Sequence, residues 1–322
     1  KGEGAYVFLY YLGLGHLARG LGTSIPFMFH LARLLNAVLL IFSLAALAEK
    51  VIPDPKWSIR ALWLTTLGSS MGYVALMFSV LSDNELVPEA YPFLSMFGNP
   101  HFILGMALFT VLILIQMRTD NWRNALLAGG LSLLLSIVQP FMIVSLLMTS
   151  GIHLLWKWSA LKRLDYRTFL LIGIGGGFYL LYQYWALTTD PILRQWTSQN
   201  ITPAPAWWDF ILCISPAWVY GLLAVLRRKF WQDPDRVLLV LWLISLILLT
   251  YAPFALQRRF MAGIYIPLVL LAFLGLVTIN DRAKLAAWLH RLIWILSLPG
   301  VVLFTLLPFY GISTHNDAFF MT

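Results

Sequence analysis

Gln257, Arg258 and Arg259 sit together in a short loop between an apolar run that ends at Tyr251 and another that begins at Met261. A guanidinium presents a planar fork of donors that matches phosphate oxygens. Each charge-assisted hydrogen bond of this kind contributes about 1.5–3 kcal/mol. Two such groups at the mouth of a helical bundle suit a lipid phosphate or pyrophosphate. The plain alternative is an ion pair with Asp190 or Glu89, or contact with ordinary lipid headgroups. Glu89 and Asp83 are the candidate bases, because a carboxylate in a partly dry pocket can take a proton from an attacking hydroxyl. Glu89 lies between Pro88 and Pro92 in an aromatic stretch, which predicts an ordered loop, whereas Asp83 and Glu85 read as a solvated turn. His101 follows Asn99-Pro100 at the start of an apolar run, where it could touch a sugar hydroxyl. No HxxxH or DxD spacing supports a metal site. Asn200 brings an amide from another polar loop. Arg33 stands inside an apolar run, and an ionisable residue there is a functional candidate by default. His30 and Asn36, three residues to either side, share its helical face.

These residues must be positioned by membrane helices. The chain has 322 residues, of which 60% are hydrophobic and only 11% charged. Soluble domains average about 25% charged residues. Apolar segments close to the ~20 residues needed to cross a bilayer recur along the chain. They fall near 5–20, 27–48, 61–81, 101–117, 125–138, 141–156, 168–187, 210–226, 237–253, 261–279 and 292–309. The expected fold is all-α: a polytopic membrane bundle of about ten or eleven segments, read as a single module over 1–322. The first segment is short and carries His16 and Arg19, so it is expected to lie along the interface. The 125–156 stretch is expected to form a short broken hairpin with its tip at Gln139-Pro140, because proline breaks a helix. That break is the only one the sequence makes evident. Gly173 and Gly177, in GIGGGF, have the spacing of a helix-packing motif.

The net charge of +8 reads as basic loops facing anionic lipid, with no nucleic acid partner implied. Grouped alternately, most loop Lys and Arg fall on one side, among them Lys56, Arg60, Arg118, Arg123, Lys157 and Arg163. The other side holds only Arg194, Arg258 and Arg259. The first side is therefore expected to be cytoplasmic. The paired arginines then run against the topological bias. The outer loops also hold Glu89, His101, Asn200 and, in the last of them, His315 and Asp317. Trp196, Trp207 and Trp208 read as an interfacial belt. The chain opens on Lys1-Gly2-Glu3 and is expected to be part of a longer protein.

Three stretches resemble the GT-C superfamily of membrane glycosyltransferases, in its bacterial branch related to protein O-mannosyltransferases and aminoarabinose transferases. FHLARLLNA (29–37) resembles the arginine-bearing early helix. VQP (138–140) is similar to the break between paired short helices. QRRFMAGIYIPLVLLAFLGL (257–276) looks like the late segment that ends near the lipid-phosphate site. The resemblance implies transfer of a sugar from a polyprenyl-phosphate donor to an unknown acceptor, on the outer face of a bacterial plasma membrane. Membrane lipids and the lipid-linked donor are the implied partners. The resemblance also implies a principal acid in the first outer loop, and here only Glu3 stands near that place. A transporter or flippase of an anionic lipid or solute is the alternative. It needs polar groups at mid-membrane, and segments 237–253 and 261–279 are almost wholly apolar.

Overall fold

The computed structural model describes residues 5–76, 78, 87–279 and 283–314. Asp83, Glu85, His315 and Asp317 lie outside the described residues. The described residues are helical and contain no strands. In chain order the helices are α1 (Leu9–Gly20), α2 (Ile25–Val51), α3 (Pro55–Leu67), α4 (Tyr73–Leu76), α5 (Pro92–Phe97), α6 (Pro100–Gln116), α7 (Trp122–Val138) and α8 (Pro140–Leu161). They continue as α9 (Tyr166–Thr189), α10 (Pro191–Gln199), α11 (Trp207–Ile214), α12 (Ala217–Val225), α13 (Pro234–Thr250), α14 (Tyr265–Thr278) and α15 (Ala283–Thr314). Short 3-10 turns lie at Pro88–Ala90, Arg228–Gln232 and Gln257–Met261.

Among the described residues five helical stretches are long and apolar enough to cross a membrane: Ile25–Val51, Pro140–Leu161, Tyr166–Thr189, Gln257–Thr278 and Ala283–Leu303. The chain is an integral, multi-pass membrane protein. α11 and α12 make a sixth span if their bend of 79° is bridged. That bend falls at Ser215-Pro216, so the chain has a second broken segment besides Gln139-Pro140. The expectation of a single break is corrected: proline ends helices inside apolar runs as readily as between them. The Gln139-Pro140 break stands where it was expected, with Gln139 the one residue between α7 and α8. The helices it separates are longer than the short pair expected over 125–156, since α8 runs for 22 residues.

The chain folds as two compact units. One comprises Lys1–Ser43, Asn99–Ala204 and Pro234–Ala262, and the other Leu44–Gly98, Pro205–Asp233 and Gly263–Thr322. In the first unit α7 lies along α9, with α8 packed on both α9 and α13. Gly175 of α9 sits against the Gly129 carbonyl of α7, leaving no room for a Cβ. Ser132 Oγ donates to Gly129 O at 2.8 Å and reaches Ile172 O across the interface at 3.2 Å. The packing glycines are therefore Gly129, Gly175 and Gly176, the last against Ile143. Gly177 has nothing within 4 Å of a Cβ. The expected Gly173/Gly177 pair is corrected: the close contacts fall on Gly175 and Gly176, between the two. α9 is also anchored at its start by Asp120. Its carboxylate accepts from Arg167 N, Thr168 N and Thr168 Oγ1 at 3.1, 2.9 and 2.7 Å.

In the second unit α14 packs on α12, α3 and α15. Every residue from Tyr265 to Leu276 is buried, as expected of a helix that is apolar on all sides. Gly275 meets the Tyr220 carbonyl so closely that a Cβ would overlap it. The 3-10 turn carrying Glu89 is tied to the approach to α14, where Gly263 N donates to Glu89 O at 2.8 Å. Gly263 has φ 72, a left-handed value that glycine adopts without strain.

Two substitutions separate the observed packing from the sequence spacing. Gly175→Ala is expected to destabilise by about 1–3 kcal/mol, the usual cost of overpacking. Gly177→Ala is expected to be neutral or to stabilise by up to ~1 kcal/mol through helix propensity. Thermal unfolding in detergent reads both, and an equal fall in Tm for the two would contradict the contact at Gly175.

Candidate functional site

The first unit contains a cavity of about 270 Å³ lined by Tyr10, Tyr11, His101, Gln139, Asn200 and Arg259 among others. A second cavity of about 160 Å³ adjoins it. The two share Pro140, Phe141, Gln183, Leu187, Trp196 and Asn200. The walls of the second are largely hydrocarbon, with Val144, Leu180 and Leu256 added to the shared residues. The first, which carries the amides, His101 and Arg259, is the more polar of the two and continues into an almost wholly apolar one.

Two helix starts build the polar chamber. α6 opens at Asn99-Pro100 and α8 at Gln139-Pro140. Proline suits the first helical position, because its missing N–H would be unpaired there anyway. Asparagine at the preceding position ordinarily caps the helix with its side chain. Here neither Asn99 nor Gln139 makes a side-chain cap, and both residues line the cavity. A helix N-terminus carries about half a positive charge, so both starts favour an anion in the chamber. Arg259 adds a full charge, and its Cζ lies 5.9 Å above the Phe102 ring. Among the described residues, no Asp or Glu lines either cavity.

The wall formed by α1 is held by polar contacts. Tyr11 Oη lies 2.6 Å from His101 Nδ1. Burial, reinforced by the neighbouring Tyr10, pushes the Tyr11 hydroxyl above the ordinary tyrosine range, so it stays protonated at physiological pH. Asn36 Nδ2 donates to Tyr10 Oη at 2.8 Å and to Pro100 O at 3.0 Å. One α2 amide thereby fixes both α1 and the start of α6. Phe8 packs edge-on against Trp196, their centroids 5.6 Å apart. It does so from a left-handed backbone, at φ 58.

Of the residues singled out in the sequence, His101, Asn200 and Arg259 meet at this cavity. Arg258 is half-buried and is not one of the lining residues. Its backbone N donates to Thr202 O at 3.1 Å. Gln257 is a staple: its Oε1 accepts from Ala204 N at 3.0 Å and its Nε2 donates to Ala252 O at 2.7 Å. Arg33 is half-buried and His30 is exposed, and on that helical face Asn36 holds the lining residue Tyr10. Glu89 is buried, at 4% exposure, in the second unit. Asp190 caps its own helix, accepting from Ile192 N and Leu193 N at 2.8 and 3.0 Å. Trp196 lines both cavities, while Trp207 and Trp208 are exposed at the start of α11.

Sequence reasoning passed over Tyr10, Tyr11, Gln139 and Gln183 as site residues. The Asn-Pro and Gln-Pro pairs that each open an apolar run were the signal that could have found Gln139. The chain matches no protein-family model, no curated protein and no solved structure.

Asn36→Leu removes both hydrogen bonds while keeping the apolar character of α2. It is expected to cost about 1–3 kcal/mol, two net hydrogen bonds at ordinary strength. The readout is Tm in detergent, and an unchanged Tm would mean that Asn36 does not brace the wall.

Proposed function

We propose that this protein is a membrane glycosyltransferase that moves a sugar from a polyprenyl-phosphate donor to an acceptor on the outer face of the membrane. The observation that carries the reading is the junction of a cationic, amide-lined chamber with a hydrocarbon-walled one. A lipid-linked sugar has that division: an anionic, hydroxyl-rich head and an apolar tail. The phosphate would lie against Arg259 and the two helix starts, which offset the charge that develops on the leaving group. The tail would run between α8, α9 and α10. Trp196, Tyr10 and Tyr11 offer ring faces to the sugar. Burial, and then the nearby Arg259, hold the pKa of His101 down at about 4, so it is neutral, and in the tautomer whose Nδ1–H donates to Tyr11 its Nε2 can accept a hydrogen bond from an acceptor hydroxyl. The charge asymmetry of the loops supports the outward orientation.

A carrier of an anionic lipid is the second reading. An anion site joined to a hydrocarbon-walled cavity would serve a carrier as well as a transferase. Proteoliposomes holding the full chain, a polyprenyl-phosphate hexose and an outside acceptor extract separate the two. Formation of glycosylated product supports transfer. Movement of intact donor between leaflets without product supports the carrier.

Native mass spectrometry with polyprenyl phosphate tests the shared anion site. Arg259→Ala is expected to weaken binding by about 10- to 100-fold, the equivalent of one charge-assisted contact. Arg258→Ala is expected to leave it within about twofold, because Arg258 does not line the cavity. Equal effects of the two, or none, would remove Arg259 as the phosphate ligand.

A further inference from the structure

Segment 6–8 and helix α1 stand between the polar cavity and the outside. Val7, Phe8, Tyr10 and Tyr11 line the cavity, while Leu12, His16 and Leu17 of the same helix are exposed. At 12 residues α1 is too short to cross a bilayer. Little apolar packing secures it, since Ala18 is its one buried residue. By contrast α6, which lines the same cavity, is buried along most of its length. Hydrogen bonds hold the cover instead. Tyr6 N donates to Tyr182 Oη and Tyr179 Oη donates to Tyr6 O, both at 2.7 Å. Two hydroxyls of α9 thus grip both polar groups of one peptide residue. Tyr11 and Tyr10 add their contacts with His101 and Asn36. The helix is also weakened from within. Gly13 and Gly15 have nothing within 4 Å of where a Cβ would stand. No close approach calls for glycine at either position, yet each lowers the stability of the helix relative to alanine. The entry to α1 is strained as well, because Phe8 adopts φ 58. An element with few buried contacts and a weakened backbone belongs to the part of a fold that opens first.

We infer that segment 6–8 and α1 form a lid on the cavity, with the hydroxyls of Tyr179 and Tyr182 as its latch. The lid opens when Tyr6 leaves the latch and α1 unwinds from its start, and it closes when both re-form. Water-borne reactants enter through this opening, and the closed lid shields the cavity from water. Gly13 and Gly15 set how readily the helix unwinds. The lid governs access whichever anion the cavity takes, so its test uses no lipid and its failure leaves the lipid-phosphate reading standing.

The test follows modification of the thiol introduced by Ile137→Cys, at a lining position, by a charged methanethiosulfonate in the full chain in detergent. Peptide mass spectrometry separates it from the native, buried Cys213. Neither the latch tyrosines nor the two glycines line either cavity. Tyr179→Phe with Tyr182→Phe is expected to speed modification by about five- to 100-fold, the range of two net hydrogen bonds. Gly13→Ala with Gly15→Ala is expected to slow it by about five- to 30-fold. A fixed wall predicts a rate that neither pair moves. A rate within twofold of the parent in the glycine pair overturns the lid. So does a parent rate equal to that of the thiol introduced by Gln195→Cys on the exposed face of α10. Slowing in the glycine pair with no change in the tyrosine pair overturns the latch. Should the tyrosine pair misfold, the glycine pair decides, since alanine meets open space at both positions.

Discussion

A peptide N–H that begins a helix in apolar surroundings has no water to donate to, and this constraint governs where the polar groups of the protein gather. The chain meets it first with proline. Pro55, Pro100, Pro140 and Pro191 all open helices, each removing one donor that would have gone unpaired. It meets it next with carboxylates. Asp54 accepts from Lys56 N, and Asp190 from two amides of α10. At α6 and α8 the second device is missing. Asn99 and Gln139 hold the capping positions without capping, and both helix starts face the same cavity.

That arrangement needs a frame that does not give way. The frame is made by contacts too close for any side chain, as at Gly175 on Gly129, and by polar groups with more than one partner. Asp120 holds the first turn of α9 through three hydrogen bonds. Asn36 holds α1 and α6 through two. The side chains of the cavity project from helix ends that these contacts fix, and sites borne on helices keep their geometry better than sites borne on loops.

The fold class was legible because twenty-residue apolar runs in a chain so poor in charge leave few alternatives. Gln139-Pro140 was legible as a break because proline has one dominant effect on a helix. Its role as a cavity wall was not, because that depends on what packs across from it, and Gly105 is far away in sequence. The same limit explains the packing glycines. Spacing alone nominated Gly173 and Gly177, yet the rotation of α9 against α7 brings Gly175 to the contact. His101, Asn200 and Arg259 were found because charge and amides are scarce in apolar sequence. Tyr10 and Tyr11 were missed because aromatic residues are not. Gln257 and Arg258 looked like Arg259 by position, and only the turn of a 3-10 segment separates a staple from a cavity wall.

Phe8, at the edge of the cavity, holds a backbone conformation that its residue type seldom adopts. At φ 58 an L-residue is crowded by its own Cβ, and a bulky one is rarely found there. Strain of this kind persists only where the surroundings over-determine it. Here Phe8, although 56% exposed, is one of the lining residues, and its ring packs against Trp196. Glycine is the residue that the backbone would choose at this position, and it is also the residue that would strip the cavity of a wall. Tolerance to substitution at Phe8 therefore runs opposite to the usual order, with conformational ease giving way to the need for an aromatic surface.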